Sequence, residues 1–389
     1  MHAPLIRDAR ATPELCSARE RRIAKHIQRF RPQVRERIRA VAARHPWIAD
    51  LAVSFPALMF ALALPNNKIK AEEATRLAIA GAPLRFTAQT AGVPLWLRGY
   101  PPQAFDQPIP ALPDSVEFRR QIANLRPKDI RQTSVWLEQI AHAARWGDET
   151  IALWLAREVK QYKPTRRRAR GRRSAAPIQL LCLWAWFSQR SGARAGACID
   201  KRWFPEIGWN SAIEAAREWK DSISLRLYLE EKDLTDMWRA PGAIDGYEFI
   251  PLRSAPEIED EARSMQHCVR TYGFDIADDY YRLWSVRRDR ERIATLCLHK
   301  SKYDGQFPTI SELSGPKNAD VAPEVWLAAR RWLHVQDALP NIGQPQTHTE
   351  VKANPLLWRQ YWRPFWLEKQ SIPEWLPLSP RWDGLDALT

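Results

Sequence analysis

Residues 265–273 read Met-Gln-His-Cys-Val-Arg-Thr-Tyr-Gly, which places an imidazole, a thiol and a phenol within six positions. Downstream, Ser285 and Arg287 lie two residues apart, and Asn318 closes a Gly-Pro-Lys-Asn run. His267 and Tyr272 have the chemistry to move protons, and Arg287 can fork onto phosphate or carboxylate. Cys268 becomes a nucleophile if His267 or Arg287 lowers its pKa. A site of His267, Cys268, Tyr272, Ser285, Arg287 and Asn318 would suit an anionic, phosphate-bearing substrate, as in a nuclease or hydrolase. The packing alternative buries Cys268 as a small apolar group and uses His267 to cap a helix. Helical neighbours point about 100° apart, which makes His267 a poor base for Cys268 if both are helical. Cys297 and His299 share a strand face and with His267 or Cys268 would resemble a zinc set. However, the chain has neither C-x-x-C nor H-E-x-x-H, and strand alternation with Leu296 and Leu298 inward explains the pair. No metal is expected. The P-loop, G-x-G-x-x-G and G-x-S-x-G patterns are absent too, so no cofactor is expected. Asp278-Asp279 reads as a solvated turn.

These residues need a scaffold. Tyr247–Leu252 reads as a strand, and Ser254 with Glu257 three residues on opens a helix reaching about Cys268. On that helix Ser264, His267 and Cys268 would lie within one turn. Strands follow at about 282–288, 293–300 and 308–313, with Asp304-Gly305 as a hairpin signal. Pro323 opens a helix to about Val335. The order β-α-β-β-β-α predicts an α+β domain over 245–336, with an antiparallel sheet and helices on one face.

The ordered segments carry a resemblance. His267-Cys268-Val269 with Tyr272, then Ser285 and Arg287, then Ala294-Thr295-Leu296, then Gly315 with Asn318, resemble the PcfJ-like family named for a conjugative-plasmid protein. The resemblance covers roughly 245–335 and implies a setting in bacterial mobile elements or phages, without implying a reaction. Glu312 departs from the pattern, which leads one to look for Gln. The change matters because an ionised Glu only accepts hydrogen bonds.

Upstream, periodicity predicts a long helix over 14–44 that Pro32 kinks or splits, a buried helix over Leu51–Leu64 and another over 69–80. The first is lined by Ile23, Ile27, Ile38 and Val41. Leu51–Leu64 is too short to span a bilayer, and no membrane partner is expected. Residues 82–114 are Pro-rich and read as a connection. Helices then resume at about 115–125, 131–146, 148–162, 177–190 and 210–232. The expected organisation is a helical region 1–162, an Arg-rich linker 163–175, a second helical region 176–240, the α+β domain 245–336 and a Trp/Pro-rich tail 337–389. In that tail Trp358, Trp362, Trp366, Trp375 and Trp382 either stack on nucleic-acid bases, dock a partner, or fold back as core.

The 389 residues carry 59 Lys+Arg against 45 Asp+Glu, a formal net charge of +14. Residues 19–44 hold ten basic side chains against Glu20 and Glu36, and 159–199 hold ten with no acid. The remainder is slightly acidic. Clustered arginines neutralise phosphates and release counterions. Arg166, Arg167, Arg168, Arg170, Arg172 and Arg173 are therefore the candidate nucleic-acid contacts, with DNA or RNA as the expected partner. Five scattered cysteines and no readable secretory signal predict a reducing, cytoplasmic location. The leading expectation is a nucleic-acid-associated accessory protein, and the rivals are the enzyme above and a protein-interaction module within a mobile-element complex.

Overall fold

A computed structural model describes residues 13–161, 175–300, 308–336, 354–373 and 376. The Arg run 166–173, the Asp304-Gly305 turn, Trp375 and Trp382 lie outside the described residues. The architecture is α+β, with a helical N-terminal portion preceding a five-stranded antiparallel sheet. Among the described residues no helix is long and apolar enough to cross a membrane. The chain forms two compact units, Met1–Trp186 with Phe204–Trp209, and Phe187–Trp203 with Asn210–Thr389.

In the first unit, prolines set the helix boundaries. α1 (Pro13–Ile27), α2 (Pro32–Ala42), α3 (Pro46–Ser54) and α4 (Pro56–Ala63) each begin on one. Over 14–44 the chain splits at Pro32, one of the two outcomes expected there. Pro32 has no amide to donate and holds Arg31 extended (φ −62°, ψ 142°). Pro56 divides the 51–64 segment in the same way, at Phe55. α4 is buried from Pro56 to Leu62, consistent with its unbroken apolar sequence. α5 (Lys68–Ile79) stops before Gly81, whose φ of +74° ends the helix cheaply. α6 (Leu84–Thr90) is a helix within the segment expected to connect. α7 (Val116–Ile122), α8 (Thr133–Trp146), α9 (Glu149–Gln161) and α10 (Ala175–Ser188) follow. The buried Trp136 Nε1–H donates to the Ala156 carbonyl (3.0 Å), tying α8 to α9.

The second unit contains α11 (Arg194–Ala197) and α12 (Trp209–Tyr228) from Asn210 onward. Its sheet is a meander of β1 (Gly242–Ile244), β2 (Tyr247–Pro251), β3 (Tyr281–Arg288), β4 (Glu291–His299) and β5 (Thr309–Ser314). α13 (Ala255–Met265) and α14 (Gly273–Ala277) lie in the β2–β3 connection. α15 (Pro323–Gln336) and α16 (Pro355–Lys369) follow β5.

The sheet is covered on two faces, not one. Phe249, Trp284, Val286, Ala294, Leu296 and Leu313 point towards α15 and pack on Val325, Ala328, Ala329 and Trp332. Trp332 stacks on Phe249 at 4.6 Å between ring centroids. Leu283 and Cys297 point the other way, onto Ala255, Ile258 and Ala262 of α13. Leu225 of α12 and Leu229 join this second core, which is why the units do not divide at 240–245 as expected. The tail contributes core as well: Trp358, Tyr361, Trp362 and Phe365 of α16 are buried. Those two tryptophans are not the open stacking platform that was one reading of the tail.

Candidate functional site

The segment between α13 and β3 positions the first side chains. Its capping box forms as expected, with Glu257 N–H donating to the Ser254 hydroxyl (3.4 Å) and Ser254 N–H to the Glu257 carboxylate (3.0 Å). The helix ends at Met265, short of Cys268. Gln266 takes a left-handed conformation (φ 55°), and His267 N–H bonds back to the Ala262 carbonyl (3.2 Å). His267 and Cys268 therefore lie outside the helix, and the 100° spacing does not govern them. A 3₁₀ turn over Val269–Tyr272 carries Tyr272 back to the sheet.

On the α13 face, sheet register builds two cross-strand rows. Ser285, Thr295 and Ser314 align in one, and Leu283, Cys297 and Glu312 in the next. His267, Cys268, Tyr272, Thr295, Cys297, Glu312, Ser314 and Asn318 line a small pocket there. Cys268 and Asn318 are exposed, whereas Thr295 and Cys297 are buried. Asn318 sits in a turn closed by Gly315 N–H donating to the Ala319 carbonyl (2.8 Å), with its own φ at 58°.

One polar chain runs from the helix into the sheet. Glu261 is fully buried, takes Arg292 Nε–H on Oε2 (2.9 Å) and accepts from the Thr295 hydroxyl on Oε1 (2.8 Å). His267 Nε2 lies 2.7 Å from Thr295 Oγ1. Thr295 has one proton, and the carboxylate takes it. His267 must then donate through Nε2–H, which leaves Nδ1 as the acceptor. Nδ1 is buried without a hydrogen-bond partner. Burial holds the His267 pKa below 6.5; Arg270 adds to the drop, while its own backbone and the Glu261 and Glu312 charges oppose it. The imidazole is neutral at pH 7.

A second group centres on Glu312. Tyr272 Oη donates to Oε2 (2.8 Å) and Ser314 Oγ to Oε1 (2.6 Å). Burial, then the Glu312 carboxylate, raises the Tyr272 pKa above its usual 10. The same two causes push the Cys297 thiol up to about 12. Both stay protonated, inert as bases but able to donate.

Four expected residues, His267, Cys268, Tyr272 and Asn318, thus share one pocket. Arg287 is not in its wall. A register shift follows Val286, and Arg287 Nε donates to the buried Ser285 hydroxyl (3.1 Å). Ser285 reaches the site only through its pairing with Thr295. Ser264 serves Arg292 instead, accepting Nη1–H at 2.9 Å. His299 bonds Thr309 (3.0 Å) and contacts Tyr280, apart from the pocket. Sequence reasoning missed Glu261, Thr295, Glu312 and Ser314 as site residues. The available signal was Thr295 on β4 with Glu312 and Ser314 on β5, polar residues on the face that α13 covers and that would otherwise be apolar.

The first unit presents a different surface. α1 and α2 bury Ile23, Ile27, Val34, Ile38 and Val41 and turn their basic residues outward. Arg19 pairs with Asp50 (2.6 Å), Arg31 with Asp106 (3.0 Å), and Arg35 donates to the Phe30 carbonyl (2.8 Å). Arg22, Lys25, Arg29, Arg37, Arg39 and Arg44 are exposed and unpaired among the described residues. Burial, followed by the charges of Arg29, Arg22 and Lys25, lowers the pKa of His26 between them.

No family profile, curated protein or solved structure matches the chain.

Proposed function

We propose that this chain is a nucleic-acid-associated accessory protein of a bacterial mobile element, similar to PcfJ-like proteins and acting in the cytoplasm. The observation that carries the reading is the set of exposed, unpaired cations on and beside α1 and α2, from Arg22 to Arg44. Six like charges held along one exposed stretch repel one another and create a positive field that a polyanion would neutralise, whereas Arg19 and Arg31 are already neutralised by carboxylates. The Arg166–Arg173 run supplies a second polyanion contact. The PcfJ-like reading is supported by the ordered segments, since HCV with Tyr272, Thr295 and Asn318 meet at one pocket. A phosphate-processing enzyme at that pocket is less favoured, because its described lining has a carboxylate and no Lys or Arg.

The test is fluorescence anisotropy with labelled duplex and single-stranded oligonucleotides from 50 to 200 mM salt. The proposal expects affinity to fall about 10²-fold or more across that range, as for several phosphate contacts. Affinity that is flat in salt, or absent at 50 mM, contradicts it.

A further inference from the structure

We infer that the nucleic acid bound at α1 and α2 is single-stranded and that Trp47 stacks on one of its bases. The inference rests on the polyanion reading of those helices and names the kind of strand they take. Among the described residues Trp47 is the one tryptophan left mostly in water, at 53% exposure, whereas Trp136, Trp154, Trp184 and Trp186 of the same unit are buried. One exposed ring alone is ordinary on a protein surface; here its seating and its neighbours single it out. The ring is held in place. Pro46 opens α3, and His45 Nδ1 caps the helix by accepting from Trp47 N–H (3.3 Å). The His45 ring meets the indole edge to face, at 5.3 Å between centroids. Gly81 supports another edge. A Cβ there would lie 2.8 Å from Trp47 Cζ3, so the indole rests on bare backbone. A base that stacks on a ring already fixed in this way meets little ordering cost.

The neighbours of the ring are cations. Arg44 lies three residues before Trp47, and its side chain is exposed and unpaired among the described residues. Arg19 donates to the Pro46 carbonyl (2.9 Å) and pairs with Asp50, one turn beyond Trp47 on α3. That contact brings α1 to α3, with the unpaired Arg22 and Lys25 on its next turns. Arg76, in the last turn of α5 before Gly81, is exposed and unpaired as well. Phosphates flanking an unstacked base would meet these cations while the base covers the indole. A duplex offers the phosphates but keeps its bases stacked on one another, which leaves the indole uncovered. An apolar protein partner docking on Trp47 would have to bury unpaired guanidinium groups beside it, at a large desolvation cost. Phe86 is exposed too, but the Arg85 guanidinium lies over its ring (4.6 Å), whereas none covers Trp47 among the described residues.

The experiment measures anisotropy with the full chain and four labelled probes at 100 mM salt. They are a 20-nucleotide oligothymidylate, a 20-nucleotide oligouridylate, an abasic strand of the same length and a mixed-sequence duplex of 20 base pairs. The abasic strand keeps the phosphates and removes every base. The proposal expects the tighter of the two base-bearing strands to bind about 5- to 150-fold more tightly than the abasic strand, the range for one base stacked on an aromatic side chain. It also expects that strand to bind more tightly than the duplex, and its sugar names DNA or RNA as the ligand. Trp47→Leu keeps an apolar side chain against Gly81. It is expected to lower affinity for the base-bearing strand by the same factor, while the salt slope and the affinity for the abasic strand stay unchanged. Trp47→Phe is expected to recover most of the loss. Equal affinity of the wild type for base-bearing and abasic strands, or tighter binding of the duplex, overturns this inference whether or not the variants fold. A salt-dependent affinity in either case leaves the polyanion reading standing. A folded Trp47→Leu variant with undiminished affinity for the base-bearing strand likewise overturns the inference alone. No binding of any probe, even at 50 mM salt, overturns both.

Discussion

At the scale of single residues, the Arg292–Glu261–Thr295–His267 chain has measurable consequences. Thr295→Val removes the proton that Glu261 accepts and the oxygen that His267 uses. It leaves two buried polar atoms unsatisfied, at a cost of about 1–3 kcal/mol in chemical denaturation. The same variant releases the His267 tautomer, which ¹⁵N chemical shifts of the ring report directly. In the wild type the native state disfavours the imidazolium at this position, so its pKa lies below 6.5. The sign follows: this contribution to stability is complete above pH 6.5 and is lost as the pH falls through the lower native pKa. A His267 titration midpoint at or above 6.5, followed by NMR, would contradict the burial argument. The site was partly legible at this scale. His267, Cys268, Tyr272 and Asn318 announced themselves by type and spacing. Glu261 did not, because it reads as one more charge on an amphipathic helix until Thr295 is placed opposite it. Arg287 bonds Ser285 on the face that alternation gives them both, yet neither is among the residues that line the pocket.

At the scale of elements, close approaches replace hydrogen bonds as the deciding term. Gly273 opens α14 against α12, and a Cβ there would lie 3.0 Å from Leu225 Cα and 3.2 Å from the Tyr228 ring. Gly273→Ala is therefore expected to destabilise the second unit by about 1–3 kcal/mol and to perturb the amide shifts of Tyr272. No loss of stability would mean that α12 and α14 pack more loosely than described. Trp332→Ala removes the ring stacked on Phe249 and edge-on to Trp284, at an expected cost of about 3–5 kcal/mol. The strands β2 to β5 and helices α13 and α15 could be read from alternation, a capping box and a helix-opening proline. β1 is three residues long and too short to show a period. The expectation of helices on one face failed because α13 interrupts the strands: β2 and β3 remain neighbours while α13 packs beneath them. α16 was hidden by its composition. Its tryptophans and prolines read as an irregular tail, yet Pro355 sits at the first helical position where proline is tolerated.

At the scale of the molecule, the net charge of +14 separates into two kinds of surface. The first unit exposes unpaired cations on α1 and α2. The second unit pairs several of its arginines with carboxylates, as in Arg226–Glu259, Arg263–Asp200 and Arg292–Glu261 (2.5, 3.0 and 2.9 Å), and keeps a carboxylate without a cation partner among the described residues, Glu312, in its pocket. The exposed cations and the His267 pocket thus lie in different units and respond to different variants. The quadruple substitution R22Q/K25Q/R29Q/R37Q changes exposed side chains only, so the fold is expected to survive it within about 0.5 kcal/mol per site. The most direct test compares this variant with the wild type by the slope of log affinity against log salt for one duplex oligonucleotide. The account predicts a slope shallower by about one per phosphate contact removed and an affinity at least tenfold lower at 100 mM salt. An unchanged slope and affinity in a folded variant would contradict it.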